Sequence, residues 1–274
     1  MPQNVTIPKP IHRGKLRSFF GKEYFIFKRR IHLWLKRKSF AKQNLHVALP
    51  FPIFIHKSIL LRPLKDVDMH LQHNKVTNLH LAIQHLNGIV IQPGETFSIW
   101  KNVGRPSKSK GYLKGLTLEN GKILSGTGGG LCQLGNLLYW MVLHTPLTIN
   151  ERWRHGYDVF PDVNRTIPFA CGATLSYNYI DLQFTNTTTE QYQIKLWLDD
   201  THLCGSILAS RPPTHSYEIF ETDHHFSQQW WGGYTRHNRI WKRIISNENG
   251  ETRDELVSEN NAIMMYSPLI DNKS

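Results

Sequence analysis

The sequence predicts an α+β fold in which a central buried helix packs against a mainly antiparallel sheet, with a basic helical extension at the N-terminus. Three observations carry this prediction. Residues 131–143 are almost uniformly apolar, two segments after residue 179 alternate between apolar and polar side chains, and residues 15–43 mix aromatic with basic side chains. Periods of about 3.6 and 2 residues distinguish helices from strands in such patterns.

The central helix is predicted over residues 131–143. Leu134, Leu137 and Leu138 lie in an apolar run that is long for a buried strand, and Pro146 follows it. Length therefore favours a helix. A helix that is apolar on all sides is buried in the centre of a domain.

Antiparallel strands are predicted after residue 147. Ile180, Leu182 and Phe184 alternate with polar residues, and residues 192–198 repeat the alternation. Asp199-Asp200 is predicted as a turn and residues 203–208 as the returning strand, which together indicate an antiparallel meander. Residues 211–274 are interpreted as further strands and loops with a frayed end.

One more helix is predicted upstream, because apolar residues recur there at helical spacing before a stop at Asn87-Gly88. These residues are Val76, Leu79, Ile83 and Leu86. The pattern further predicts a short pair of strands in 47–61, a buried strand at 89–91, a turn at Pro93-Gly94 and the start of an extended segment at 97–100.

We find no internal repeat and no low-complexity linker, so one α+β domain with an N-terminal extension is favoured. Within it, residues 1–68 are predicted to form the basic extension and short strands. Residues 69–210 form the core, and residues 211–274 form strands and loops packed on that core. Residues 1–14 are expected to be a mobile tail.

The composition narrows the classes of partner and compartment. Lys and Arg total 33 against 21 Asp and Glu, a net charge of +12, which favours anionic partners. Three cysteines, Cys132, Cys171 and Cys204, are too few for a disulfide scaffold and suit a reducing compartment. The first ten residues lack a secretory signal pattern, and 47–61 is too short and interrupted to span a bilayer. We therefore expect a cytoplasmic protein, peripheral at most to the inner membrane face.

Residues 15–43 allow two interpretations. Aromatic residues such as Phe19, Phe20 and Trp34 stand among basic ones such as Lys28 and Arg30. The segment is either a helix that docks on an anionic membrane surface or a solvated helix whose aromatic side packs on the domain. The basic charge of this segment is also compatible with docking on nucleic acid, but no specific nucleic-acid partner is expected, since no recognised module is present.

The most site-like feature is the glycine-rich segment 126–133, which runs into the central helix. Its glycines permit positive φ and close approach to a ligand. The N–H groups at a helix start stabilise an anion or a developing oxyanion. Cys132 stands in the first helical turn, where the helix dipole is expected to lower a thiol pKa, and Gln133 is positioned to donate its amide to an oxyanion.

A cysteine nucleophile needs a base, and His155 is the candidate, oriented by Asp158 or Asp162. His144 is a poor partner because it lies roughly 18 Å along the helix from Cys132. The competing interpretation is that Cys132 is a buried residue that only packs, as unpaired cysteines often do.

Other site types fit less well. No Gly-Lys-Ser/Thr follows the glycines, which excludes a nucleotide P-loop, and Leu131 takes the place of the third glycine of a dinucleotide fingerprint. Asp223 with His215, His224, His225 and His237 forms a weak metal candidate, because adjacent residues in a strand point to opposite faces. We expect neither a metal nor a cofactor. Cys171 and Cys204 are expected to be structural.

These motifs resemble the VanW family. The matching segments are Pro93–Ser98, the Tyr112 region with Gly115–Thr117, Asn120–Lys122, Gly128–Gln133, Asn136–Tyr139, Glu151-Arg152, His155, Gly172–Thr174 and Tyr179–Leu182. Two positions depart from the family pattern. Many relatives have a histidine at the place of Trp153 and an aspartate at the place of Gly172. The resemblance implies an association with the cell envelope and with glycopeptide resistance.

Two functions are compatible with these residues. One is a cysteine-dependent hydrolase or acyltransferase acting on a peptide or amide, with Cys132, His155, Gln133 and Asp158 as catalytic residues. The other is a non-catalytic module that binds an anionic cell-envelope precursor. Its ligand-binding residues would be Gly128, Gly129 and Gly130 of the turn, together with Glu95 and Arg152 of the matching segments. The ligand expected is a small molecule or a peptide.

Overall fold

The computed structural model describes residues 14–36, 39–61, 68–119, 121–159 and 166–267. The predicted mobile tail, Asp162 and the frayed C-terminal end lie outside these ranges, apart from Gly14. Helices and mainly antiparallel sheets are both present, which confirms the α+β class.

Four α-helices occur in the described residues: α1 Lys15–Leu35, α2 Met69–Leu86, α3 Ile99–Val103 and α4 Cys132–Leu143. The strands of the N-terminal half are β1 Phe51–Ile59, β2 Val90–Ile91, β3 Thr96–Ser98, β4 Lys114–Glu119 and β5 Lys122–Thr127. Those that follow α4 are β6 Thr148–Glu151, β7 Tyr157–Asp158, β8 Gln183–Thr185, β9 Tyr192–Leu198, β10 His202–Ala209, β11 His215–Gln228, β12 Tyr234–Ser246 and β13 Thr252–Met264. No helix of the described residues is long and apolar enough to cross a membrane.

The core lies between α4 and a four-stranded antiparallel sheet in the order β1-β10-β9-β2. Helix α4 contacts β10 and β1, and α2 packs on β9. Leu134, Leu138 and Met141 of α4 are fully buried in this core, as the all-apolar pattern predicts. The predicted β9–β10 hairpin, with its turn at Asp199-Asp200, is confirmed.

The prediction of two short strands in 47–61 is wrong. The segment forms one nine-residue strand, β1, which pairs with β10 at the edge of the sheet. Pro52 is accommodated because an edge strand has one side free of ladder hydrogen bonds, and the register shifts between Pro52 and Phe54. Strand β1 therefore continues through Pro52, where the sequence pattern predicted a turn.

The extended segment predicted from Phe97 is also shorter than expected. Strand β3 ends at Ser98, and the short helix α3 begins at Ile99. The side chain of Ser98 accepts a hydrogen bond from the Lys101 N–H at 3.1 Å, which is the pattern of a helix N-cap. A local side-chain hydrogen bond thus ends the strand.

Three further sheets surround this core. Strand β8 joins β3 and β6 in one sheet, and β4 pairs with β5 in a hairpin. The long strands β11, β12 and β13 form an antiparallel sheet that β7 extends in parallel. Strands β11, β12 and β13 lie in the segment 211–274, for which the sequence predicts strands and loops.

Candidate functional site

The glycine-rich turn packs closely against the backbone of β4 and a side chain of α2. A Cβ on Gly129 would lie 2.1 Å from the carbonyl oxygen of Gly115 in β4, and a Cβ on Gly130 would lie 2.2 Å from Cγ of Lys75 in α2. Gly128 and Gly130 have φ values of 76° and 93°, which favour glycine. Close packing between the turn, α2 and β4 therefore explains why glycine stands at these positions.

Asn78 of α2 fixes the turn, and the sequence patterns did not single it out. It is fully buried. Its amide donates to the Gly129 carbonyl at 2.9 Å and to the Leu113 carbonyl at 3.1 Å, while its Oδ1 accepts from the Leu113 N–H at 2.8 Å. A polar residue at a buried helix position was the only sequence signal that could have identified it.

The start of α4 leaves two amides available. Within the part of the chain that the structure describes, the N–H groups of Gly130 and Leu131 donate to no acceptor, and hydrogen bonding within the helix begins with Gln133 and Leu134. Such amides carry the positive end of the helix dipole. The side chain of Lys75 lies against Gly130, with Nζ donating to the Leu60 carbonyl at 2.5 Å and to Gln72 Oε1 at 2.7 Å.

Cys132 is partly exposed, and its thiol is held by the backbone of Leu175. Sγ accepts from the Leu175 N–H at 3.4 Å and lies 3.8 Å from the Leu175 carbonyl. Burial raises the pKa of the Cys132 thiol, and hydrogen bonds from the Leu175 and Cys132 backbone lower it by less. The direction is opposite to the expected effect of the helix dipole, because loss of solvent around the thiolate outweighs it.

His155, the proposed base, makes no hydrogen bond to Cys132 or to Asp158 among the described residues. Burial lowers the pKa of His155, and the charge of Arg154 lowers it further. The carboxylate of Asp158 instead accepts from Tyr266 Oη at 2.8 Å and lies 3.4 Å from Nη1 of the buried Arg236.

Gln133 faces the edge strand rather than the glycine turn. Its Nε2 donates to Ser58 Oγ at 3.0 Å and to the Ile59 carbonyl at 2.8 Å. The amide therefore fastens the end of β1 to the start of α4. To donate to an oxyanion, the Gln133 amide would first have to give up these two hydrogen bonds.

Residues 170–175 form a strap along the first turns of α4, and several matching segments meet there. Asn136 Oδ1 accepts from the Ala173 N–H at 2.8 Å. Arg152 Nε donates to the Gly172 carbonyl at 2.8 Å, and its guanidinium lies 4.6 Å from the ring centroid of Tyr139. The strap thus places Arg152 beside α4 with its donors engaged by backbone carbonyls.

Glu95 lies in the turn before β3. Its Oε2 accepts from the Gln92 N–H at 2.9 Å, and no hydrogen bond joins its side chain to the α4 start among the described residues. No group of three or more His, Cys, Asp or Glu in the described ranges is arranged to hold a metal ion.

A second buried cluster, which sequence reasoning missed, joins four elements. Asp181 is fully buried and accepts from Ser98 Oγ at 2.5 Å and Gln183 Nε2 at 3.1 Å. Burial raises the pKa of Asp181 to about 6. Its backbone N–H donates to Glu151, whose carboxylate makes a bidentate ion pair with Arg29 of α1 at 2.6 and 2.7 Å.

Comparison with known proteins connects this fold to one family. The family model for VanW-like proteins matches residues 74–208. The chain is 37% identical to the vancomycin B-type resistance protein VanW of Enterococcus faecalis over 221 residues, which is 81% of this chain and 80% of that protein. It is 29% identical to the uncharacterized protein YoaR of Bacillus subtilis over 121 residues, 43% of this chain and 37% of that one. No solved structure matches the chain. The shared region contains the glycine turn, α4 and the strap, and the chain belongs to the VanW family.

Proposed function

We propose that this protein acts in vancomycin resistance as a non-catalytic binding protein, and that its ligand is a cell-envelope precursor carrying a carboxylate or phosphate. The name of the Enterococcus faecalis relative supports the association with resistance. The observation that carries the binding function is the pair of N–H groups at Gly130 and Leu131 that donate to no acceptor among the described residues. A helix start with available amides binds anions through hydrogen bonds and the helix dipole.

The surroundings of the turn support an anionic ligand. Gly130 is partly exposed and Leu131 is buried, so a ligand reaches these amides from the Gly130 side. The aliphatic part of the Lys75 side chain packs against Gly130. Its ammonium group, which donates to the Leu60 carbonyl and to Gln72, adds positive charge near the turn. Close packing of the glycines behind the turn keeps the amides in place before a ligand arrives, which reduces the entropy lost on binding.

A titration followed by NMR tests this proposal. The full chain, labelled with ¹⁵N at glycine and leucine, is titrated with a short peptide that has a free C-terminal carboxylate, with the same peptide capped as an amide, and with inorganic phosphate. Saturable shifts of the Gly130 and Leu131 amides with the free peptide or phosphate, but not with the capped peptide, are expected. Equal shifts with both peptides, or no shift with any probe, would contradict the proposal.

A cysteine-dependent hydrolase or acyltransferase is the second candidate. The hydrogen bond from the Leu175 N–H to Sγ favours it, because a donor at 3.4 Å stabilises a thiolate. In that function the Cys132 sulfur adds to the carbonyl carbon of the amide while His155 takes the thiol proton. His155 then donates this proton to the amine as the C–N bond breaks, and water or an acceptor amine releases the acyl group from Cys132. These transfers require His155 to lie within hydrogen-bond reach of the thiol. The titration of Cys132 distinguishes the two candidates.

A further inference from the structure

Helix α1 is attached to the domain by only one of its faces. Ile26 and Leu33 are its buried apolar residues, 4% and 5% exposed. On the same side, Arg29 pairs with Glu151, and the ring of Phe25 lies 5.7 Å from that of Tyr179. These contacts fix which side of the helix faces away from the protein.

The opposite side carries a continuous apolar surface, which we call the outer stripe. Its members are Leu16, Phe20, Tyr24, Phe27, Ile31, Trp34 and Leu35. Their spacing of three or four residues places them along one face of the helix. Phe20, Phe27 and Trp34 are 67%, 63% and 65% exposed. Aromatic side chains in a surface helix usually pack on their domain, so this arrangement needs a partner.

Basic residues border the outer stripe. Helix α1 contains six Lys and Arg against one Glu. Arg17 and Lys28 lie along one edge of the stripe and Arg30 along the other, and all three are exposed. An apolar face flanked by cations is the pattern of a helix that lies in a membrane interface.

We propose that α1 is a membrane-surface anchor that binds lipid bilayers rich in anionic headgroups. The outer stripe enters the boundary between headgroups and acyl chains, while Arg17, Lys28 and Arg30 contact lipid phosphates. Charge favours this partner over a second copy of the chain, because two α1 helices packed stripe to stripe would bring the Arg and Lys side chains of both copies together. This proposal rests on residues of α1 alone and does not depend on anion binding at the start of α4.

Vesicle sedimentation with the full chain tests the anchor. Vesicles of phosphatidylglycerol mixed with phosphatidylcholine are compared with vesicles of phosphatidylcholine alone, and binding to the anionic vesicles only is expected. Removing two charges by Arg17→Gln with Lys28→Gln should weaken binding about 25-fold, since each basic residue near an anionic surface contributes about fivefold. Lys108→Gln with Lys122→Gln removes the same charge outside α1 and should leave binding nearly unchanged.

The apolar contribution is tested separately. Phe20→Ser and Phe27→Ser should each weaken vesicle binding roughly tenfold, because buried aromatic area is lost. Val47→Ser, at a residue 80% exposed outside the stripe, is the matched control. Equal binding to both vesicle types, or variants that bind like the original chain, would overturn the anchor. A concentration-dependent dimer that Phe27→Ser abolishes, without vesicle binding, would assign the stripe to a second copy instead.

Discussion

At the scale of single residues, burial controls the chemistry of Cys132, His144 and Asp181. The thiol at the start of α4 has the position of a nucleophile, yet its pKa is raised because its surroundings exclude solvent. His144 stacks on Phe54 with centroids 3.8 Å apart, and burial lowers its pKa to about 4. Burial raises the pKa of Asp181 instead, to about 6. The directions differ because burial disfavours the charged form, which is the deprotonated form of an acid and the protonated form of a base.

The titration of Cys132 gives the first prediction. We expect iodoacetamide to alkylate Cys132 in the folded chain only above pH 9, because burial raises the thiol pKa above its ordinary value of 9.0. Peptide mass spectrometry as a function of pH measures this, with the buried Cys171 and Cys204 as internal references. Rapid alkylation of Cys132 below pH 8 would instead favour the cysteine-dependent hydrolase or acyltransferase.

His144 gives a prediction on pH dependence. Its folded pKa of about 4 lies below the ordinary 6.5, so the unfolded chain binds the proton more readily and stability falls as pH decreases from 6.5 toward 4. The difference between the folded and unfolded pKa values corresponds to about 3 kcal/mol in the free energy of unfolding. In urea unfolding, the free energy of unfolding of His144→Phe should therefore decrease less between pH 7 and pH 4 than that of the original chain. Parallel pH profiles for the two proteins would refute this.

At the scale of elements, the start of α4 is positioned by the turn behind it. Gly115 of β4 and Gly129 of the turn meet backbone to backbone, since a Cβ on either would lie within 2.5 Å of an atom of the other. Asn78 of α2 closes the same contact with its hydrogen bonds. The amides at Gly130 and Leu131 are therefore oriented by three elements, α2, β4 and α4.

This packing predicts the effect of a single methyl group. Gly129→Ala should lower the free energy of unfolding by about 2–4 kcal/mol, because backbone atoms of β4 cannot move aside as a flexible side chain would. Gly156→Ala is the control, since its Cβ would meet no atom within 4 Å, and we expect a change within about 0.5 kcal/mol. Equal stabilities of the two variants in urea unfolding would disprove the close contact.

At the scale of the whole molecule, α1 is joined to the core by groups far apart in sequence. Arg29 and Glu151 are separated by 122 positions and are each less than one-fifth exposed. Glu151 also accepts the N–H of Asp181, so the ion pair connects α1 to β6 and to the buried carboxylate next to Ser98. The orientation of the outer stripe depends on this connection.

Loosening that connection should release α1 locally. In Glu151→Gln the carboxylate charge is lost while its size is kept, and α1 should be destabilised by roughly 2 kcal/mol after allowance for partial exposure. Hydrogen exchange of residues 14–36 should then accelerate about 30-fold. Arg30→Gln removes a neighbouring charge that is exposed, and should leave exchange unchanged. Exchange that is equally slow in both variants would contradict the role of the ion pair.

The sequence by itself determined the elements whose signals are local. The spacing of Leu79, Ile83 and Leu86 specifies α2, the uniform apolar run specifies α4, and alternation around Asp199-Asp200 specifies the β9–β10 hairpin. These signals are local because periodicity and turn chemistry depend only on neighbouring residues. The glycine turn and the family resemblance were also visible at this level.

Only the tertiary structure decided what the site residues contact. The continuity of β1 through Pro52 depends on its edge position, which no local pattern encodes. Gln133 turns to Ser58, the thiol of Cys132 meets Leu175, and Asp158 joins Arg236. Each partner lies at least 43 positions away, and burial, which sets the direction of the Cys132 pKa shift, arises only when the chain packs. Protonation and hydrogen bonding at a site are therefore properties of the folded molecule.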